Sequence, residues 1–177
     1  MRKYSHVWQL AGFVFTSIFG TLLHFAYDWS GGSLFFALFS TVNESIFEHM
    51  KLLFFPMFAF CFIQNYFSKE KQINFWCTKL KGTLVGLVLI PLLYYTYTGI
   101  LGTSADWFNI TIFFIAAASA YITEAKTTNH RRPYMISETA CFIILCIIGI
   151  SFIILTFFPP HIPLFQDPQN LTFGRII

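Results

Sequence analysis

The sequence predicts an all-α integral membrane protein with about five transmembrane helices in a single domain. Apolar residues make up 56% of the 177-residue chain and charged residues only 11%, whereas an ordinary soluble domain has roughly 25% charged residues. The apolar residues also form runs long enough to cross a bilayer, which takes about 20 residues as a helix. A chain of this length has room for a small bundle of such helices with short connections.

The apolar runs and the turn residues between them define the elements in order. No small-residue cleavage site follows the first run, so we expect it to be a retained helix and not a signal peptide. The stretch from residue 33 to residue 67 is too long for one span. The capping-box patterns Thr41-x-x-Glu44 and Ser45-x-x-Glu48 divide it into a short re-entrant or interfacial helix and a second span. The predicted spans are 7–27, 46–67, 82–102, 106–123 and 137–158, with the short helix at 33–41 and a Pro-rich C-terminal tail at 159–177.

Basic residues are divided unevenly between the two sides that five spans define. Two of them, Lys51 and Arg175, fall on the side of the C-terminus, and nine fall on the side of the N-terminus. By the positive-inside rule the N-terminus is inside and the C-terminus outside. The basic excess therefore reflects topology, and we expect a lipid bilayer and no nucleic acid as partner. The nine are Arg2, Lys3, Lys69, Lys71, Lys79, Lys81, Lys126, Arg131 and Arg132.

The most polar stretch of this apolar chain runs from Asn43 to Lys51, with the sequence NESIFEHMK. On a helix, Glu44, Glu48 and Lys51 share one face, while Ser45 and His49 lie about 100° away. Ionisable groups at this depth are costly unless they meet one another, water or a metal, so we expect them to face the bundle. The topology places further polar groups at the same outer edge and predicts an outward-facing pocket. These groups are His24, Asp28, Tyr94, Asp106, His161 and Asp167.

One interpretation of this pocket is a metal or acid–base site. A neutral His49 imidazole, together with His24 or His161 and a carboxylate, would form a zinc-type shell with an open position for water. Glu44 or Glu48 would then serve as general base, and Ser45 is a further candidate in the same stretch. This interpretation predicts a metal-dependent hydrolase that acts on lipid-like substrates.

Two other interpretations stay open. In the first, the stretch is structural: Ser45 and Glu48 cap a helix, Lys51 pairs with Glu48 and snorkels, and His49 bonds to a backbone carbonyl. In the second, the pocket binds a small molecule for transport. The four cysteines show no metal-type spacing, and we expect them to be apolar packing residues.

The motif at 43–51 and the tail Leu164-Phe165-x-Asp167-Pro168 resemble a family of small, uncharacterised bacterial integral membrane proteins along the whole chain. This resemblance implies a topology class and a bacterial plasma membrane, but no activity. Ser45-x-x-x-His49 is similar to the S-x-x-x-H element of the alkaline ceramidase and adiponectin-receptor superfamily, which implies zinc-dependent hydrolysis of lipid amides. That superfamily also has H-x-x-x-H in its last helix, and this sequence lacks it. In length and apolar character the chain is similar to the vitamin-capturing subunits of energy-coupling-factor transporters, which usually have six spans.

Overall fold

The computed structural model describes residues 2–68, 73–128 and 134–175. These residues form α-helices, one 3-10 turn and a single isolated β-bridge in the tail, and they include no strand. Four of the basic residues counted for topology, Lys69, Lys71, Arg131 and Arg132, lie outside the described ranges. The elements are α1 (Arg2–Trp29), α2 (Leu34–Ala37), α3 (Ile46–Phe67), α4 (Phe75–Leu101), α5 (Asp106–Thr128), α6 (Glu138–Phe157) and the 3-10 turn (Pro163–Phe165).

Five of the helices are long and apolar enough to cross a membrane, which confirms the predicted number of spans. The exception is α2, a single turn inside the stretch predicted as a short helix over 33–41. Helix α4 begins at Phe75, well before the predicted start at residue 82. As a consequence, Lys79 and Lys81 belong to a helix and not to the loop in which the sequence placed them.

Glycines and capping serines mark three of the helix boundaries. Gly31 and Gly32 adopt φ of 67° and 79° directly after α1, a conformation that glycine tolerates without strain. Ser45 is the N-cap of α3, and its side chain accepts a hydrogen bond from the Glu48 N–H. Ser137 caps α6 in the same way through the Ala140 N–H. The cap predicted at Ser45 is thus confirmed.

Helix α3 is the centre of the bundle. Within its apolar window 61% of the residues are buried, compared with 17–33% in the other four long helices. It contacts α1, α4, α5, α6 and the 3-10 turn of the tail. The polar side chains of Glu48, Lys51 and Gln64 on this helix are therefore enclosed by protein, which sets the conditions for the sites below.

Small residues allow α4 and α5 to approach closely. Ala116, Ala117 and Ala120 are fully buried. On the facing side of α4, a Cβ added to Gly82 would lie 2.9 Å from the Ala120 carbonyl oxygen, and one added to Gly86 would lie 3.2 Å from the Ala120 Cβ. Larger residues at these positions would force the two helices apart.

The prediction that all four cysteines are packing residues is wrong for two of them. Cys77 at the start of α4 and Cys141 at the start of α6 form a disulfide, with Cα atoms 5.0 Å apart. Their separation of 64 residues gave no spacing signal, since the pairing depends on how α4 and α6 pack. Cys61 and Cys146 are free thiols.

Candidate functional site

Three of the predicted site residues, His24, Glu44 and His49, meet at one end of the bundle. His24 lies near the end of α1, Glu44 lies in the connection before α3, and His49 lies in the first turn of α3. One ligand atom from each residue lies within 4.8 Å of the other two. The sequence predicted this convergence from topology alone, since the three residues have no diagnostic spacing.

Hydrogen bonds hold the connection before α3 against the end of α1. The Ser40 hydroxyl bonds to the Leu23 carbonyl and accepts from the Tyr27 N–H. The Thr41 hydroxyl donates to the His24 carbonyl at 3.0 Å. These bonds fix the segment against the last turns of α1 and place Glu44 beside His24.

The distances within the group fit a ligand set that needs only a small adjustment. Glu44 Oε2 lies 3.4 Å from His49 Nε2, and Glu44 Oε1 lies 4.0 Å from His24 Nε2. The two imidazole rings are 5.4 Å apart between centroids. Tetrahedral ligands at about 2.0–2.1 Å from a zinc ion lie about 3.4 Å from one another. The His49–Glu44 pair already has this spacing, and the His24 ring would have to move by roughly 1 Å.

The His49 ring is oriented by its own backbone. His49 Nδ1 lies 2.9 Å from the Ser45 carbonyl oxygen, and a carbonyl can only accept, so Nδ1 carries the proton in the neutral ring. Nε2 then presents a lone pair toward Glu44 and His24. Histidine ligands in metal sites are commonly held in this way by a carbonyl on the other ring nitrogen.

The His24 ring and the Glu44 carboxylate are less constrained. His24 Nδ1 is buried and has no hydrogen-bond partner among the described residues, while the ring makes an edge contact with Phe25 at 4.8 Å. The His24 side chain is 28% exposed and the Glu44 side chain 39% exposed. A group with these exposures is accessible to an ion from the water at the membrane edge.

A cleft adjoins the group, with Glu44 and His49 on its polar side. Tyr94 and Asn109 contribute further polar atoms, and the Tyr97 hydroxyl donates to Asn109 Oδ1 at 2.5 Å. Apolar side chains line the remainder of the cleft, which is formed by α3, α4 and α5. The apolar lining residues are Ile46, Ile90, Ile112 and Phe113.

The other candidate base, Glu48, points into the bundle and not toward the histidines. Its carboxylate accepts hydrogen bonds from the Val42 N–H at 3.0 Å, from Lys51 Nζ at 2.7 Å and from the Thr156 hydroxyl at 2.9 Å. Glu48 is 1% exposed and Lys51 0% exposed. The predicted ion pair between them is confirmed, but the prediction that Lys51 snorkels is wrong: its ammonium donates to the Ala37 carbonyl and to Thr156 instead.

The structural interpretation of the stretch accounts for part of it. The Ser45 cap, the Glu48–Lys51 pair and the bond from His49 to a backbone carbonyl are all present. Ser45 is 1% exposed and engaged as a cap, outside the ligand group. Neither the cap nor the ion pair explains why Glu44 lies between two imidazoles.

The tail folds over the connection before α3. Asn43 Nδ2 donates to the Gly174 carbonyl at 2.9 Å, and Asp167 Oδ2 accepts from the Glu44 N–H at 3.3 Å. The Phe165 ring stacks on Phe47 of α3 with centroids 4.2 Å apart. These contacts fix the backbone that carries Glu44, so Asn43 and Asp167 support the group without belonging to it.

The remaining predicted residues lie apart from the group. His161 is exposed and packs edge-on against Phe173 at 4.7 Å. Asp28 is exposed one turn beyond His24, and Asp106 is exposed in the first turn of α5. None of the three belongs to the ligand group that the described residues form.

Sequence reasoning missed a second buried polar group at the opposite end of the bundle, where Lys79 forms an ion pair with Glu124 and donates to Gln64 Oε1 at 2.7 Å. Lys79 had been counted among the basic residues on the side of the N-terminus. A signal was available, however, because Glu124 follows Ala116 and Ala120 at spacings of four residues. This spacing places it on the small-residue face of α5, which packs against α4.

Five helices long and apolar enough to cross a membrane, with ionisable groups buried near both ends of the bundle, give the chain the architecture of a polytopic membrane protein. The chain belongs to DUF6512, a family of unknown function whose model matches residues 1–175. No curated protein and no solved structure matches the chain.

Proposed function

We propose that this protein is a metal-dependent membrane hydrolase that binds a zinc-type divalent cation through His24, His49 and Glu44. The observation that carries the proposal is the convergence of two imidazole nitrogens and one carboxylate within 4.8 Å at one end of the bundle. Three protein ligands leave a position for water, the arrangement that catalytic zinc sites share. A structural zinc site would instead need a fourth protein ligand.

Each residue has a defined role in this proposal. His24 and His49 would hold the cation through Nε2, and the Ser45 carbonyl holds the His49 ring in the required tautomer. Glu44 binds through one carboxylate oxygen, and its other oxygen accepts a proton from the attacking water. A divalent cation at this position would acidify the water and polarise the substrate carbonyl. The water oxygen bonds to the carbonyl carbon, the bond to the leaving group breaks, and the proton passes from Glu44 to the leaving group.

The cleft beside the group supports lipid-like substrates. Its walls include Ile90, Ile112 and Phe113, and its polar end is formed by the Glu44 and His49 side chains. The cleft holds about 30 Å³, room for about one or two water molecules, so its walls would have to move apart to take an apolar chain with the ester or amide carbonyl beside the ligands. Small-molecule sites typically combine apolar walls with a few polar groups that orient the ligand.

Metal content measured against a matched histidine control tests the proposal. We expect purified wild-type protein in detergent to bind about one equivalent of zinc, and His24→Ala, His49→Ala and Glu44→Gln to lower the affinity by more than about tenfold. His161→Ala should bind zinc like the wild type, since His161 lies outside the group. Chelation should abolish hydrolysis of lipid esters or amides, and added zinc should restore it. Absence of stoichiometric metal at saturating zinc, or equal losses in His49→Ala and His161→Ala, would refute the proposal.

A second candidate function is the binding of a small molecule for transport, which the same cleft favours. This function predicts a small molecule that copurifies with the protein and stays bound after chelation. Loss of that molecule in Tyr94→Ala, with zinc binding unchanged, would favour it over hydrolysis. A purely structural role predicts instead that Glu44→Gln changes neither ligand content nor activity.

We also infer the orientation from the positive-inside rule. It places the N-terminus in the cytoplasm of a bacterial cell, and the group of His24, Glu44 and His49 faces outward. The Cys77–Cys141 disulfide lies at the end that this orientation assigns to the cytoplasm, where disulfides are rare. Both cysteines are buried, at 6% and 2% exposure, which limits access of reductants. Labelling of single cysteines from each side of the membrane decides the orientation independently.

A further inference from the structure

The inner polar group, Lys79 with Glu124 and Gln64, is a second candidate site that the proposed function does not use. Lys79 is 1% exposed, and Glu124 and Gln64 are 0% exposed. The three side chains come from α4, α5 and α3 and meet through the Lys79 ammonium, which donates to Gln64 Oε1 at 2.7 Å and pairs with Glu124 Oε2. A buried lysine and glutamate inside a membrane bundle are costly and mark functional positions more often than surface charges do.

The inner group differs from the outer Glu48–Lys51 pair in how completely its carboxylate is bonded. Both oxygens of Glu48 accept hydrogen bonds, one from Thr156 and the other from Lys51 and a backbone N–H. In Glu124, by contrast, Oε1 is buried and accepts no hydrogen bond from the described residues. The Nε2 group of Gln64 is likewise buried and has no acceptor among them. Both oxygens of the outer carboxylate are therefore bonded, whereas the inner carboxylate is paired with Lys79 through Oε2 and has no donor to Oε1 among the described residues.

The oxygen of Glu124 that accepts no hydrogen bond is the position at which the carboxylate can take up a proton. No second cation faces the carboxylate among the described residues. The other titratable groups nearby are the Cys61 thiol on α3 and the Tyr121 hydroxyl on α5, and the latter is hydrogen-bonded to Thr16 of α1 at 2.8 Å. Gly82 opposes Glu124 on α4, and a Cβ at that position would lie 3.2 Å from the free Oε1. The glycine thus allows α4 to pack directly against the Glu124 side chain, with no room for a larger residue.

The group lies close to one end of the bundle. Gln64, Lys79 and Glu124 each lie three or four residues from the end of their helix, a distance of roughly 5–6 Å at 1.5 Å per residue. The group therefore lies just inside the bundle at the end opposite the histidines. On α3, His49 and Gln64 are separated by 15 residues, or about 22 Å.

We propose that Lys79, Glu124 and Gln64 form a proton-binding site, in which Oε1 of Glu124 takes up a proton from water at this end of the bundle. The carboxylate and a hydronium ion become a carboxylic acid and a water molecule, and the net charge of the Lys79–Glu124 pair rises from zero to +1. Lys79 stays protonated and holds Oε2, while Gln64 fixes the ammonium. The site shares no residue with the metal group, so either proposal can fail without the other.

Infrared spectroscopy of the full-length protein in lipid nanodiscs tests this site, with the outer pair as matched control. On acidification we expect one carbonyl band of a protonated carboxylic acid that shifts on transfer to D2O. The band should be absent in Glu124→Gln and retained in Glu48→Gln and in His49→Ala. A band that persists in Glu124→Gln, or that disappears equally in Glu48→Gln, would overturn the proposal.

A second variant keeps the test decisive where Glu124→Gln does not fold, as judged by size-exclusion chromatography. Gln64→Leu retains the ion pair but removes one acceptor from Lys79, so Lys79 should bond more strongly to Glu124. We expect the carboxylic acid band to move in frequency in this variant while its exchange in D2O persists. An unchanged band, or a band in wild type that never exchanges, contradicts a water-accessible proton on Glu124.

Discussion

Replacement of Lys51 by methionine would test how strongly the outer ion pair stabilises the bundle. Lys51 Nζ donates to the Ala37 carbonyl at 3.0 Å, to Glu48 Oε2 at 2.7 Å and to the Thr156 hydroxyl at 2.9 Å. These bonds join the segment after α1 to α3 and α6. Methionine retains the length and apolar stem of lysine but provides none of them.

The expected loss is dominated by the charge left behind on Glu48. Removal of one partner of a buried ion pair typically costs about 3–5 kcal/mol, because the remaining charge is buried and uncompensated. Glu48 would retain the Val42 N–H and the Thr156 hydroxyl as donors. A lost interhelical hydrogen bond in a membrane costs less, about 0.6–1.7 kcal/mol, so we expect Thr156→Val to have the smaller effect. The double variant Glu48→Gln, Lys51→Met should be more stable than Lys51→Met alone, since it also removes the charge.

Reversible unfolding of the protein in mixed micelles, followed by tryptophan fluorescence, would give these free energies of unfolding. Lys81→Met provides a matched control on an exposed lysine, for which we expect a change within about 0.5 kcal/mol. A loss below about 1 kcal/mol in Lys51→Met would refute the reasoning. So would additive losses in the double variant, because they would mean that the two charges do not interact.

Two further predictions concern helix packing and sidedness. Gly82→Ala should destabilise the protein by about 1–3 kcal/mol, because the new methyl group would lie 2.6 Å from a side chain of α5 and 2.9 Å from its backbone. Gly99→Ala has open space around it and should be neutral or stabilising in the same unfolding assay. Equal losses of stability in the two variants would contradict the packing argument. Cysteines at the exposed positions Thr103 and Met135 lie at opposite ends of the bundle. In a background without the free thiols, an impermeant maleimide should label Thr103→Cys in intact cells and Met135→Cys only after lysis, and the reverse pattern would invert the orientation.

Local chemistry explains which parts of the fold could be predicted from the sequence. The five spans follow from apolar runs of bilayer length, and the start of α3 follows from Ser45, whose hydroxyl satisfies a free N–H at the first turn. The ion pair of Glu48 with Lys51 lies within one helical turn, so its spacing is visible in the chain. In each case the interacting atoms are separated by only a few residues.

The candidate sites required the tertiary structure to different degrees. Topology brought His24, Glu44 and His49 to one edge, but the alternatives His161 and Glu48 were equally compatible with the sequence. The structure separates them, since Glu48 faces into the bundle and His161 lies in the tail against Phe173. Which side of α3 each residue occupies depends on helix packing, which spacing within one segment does not specify.

The sequence by itself determined that this is a membrane protein of five apolar helices with its polar stretch at the start of α3, because hydrophobicity and capping act over short distances along the chain. Only the tertiary structure decided that Lys79 is buried with Glu124, that Cys77 pairs with Cys141, and that Glu44 lies between two histidines. These contacts join segments from different helices, so their geometry depends on how the helices pack. The physical reason is that burial of a charge is set by its neighbours in space and not by its neighbours in sequence.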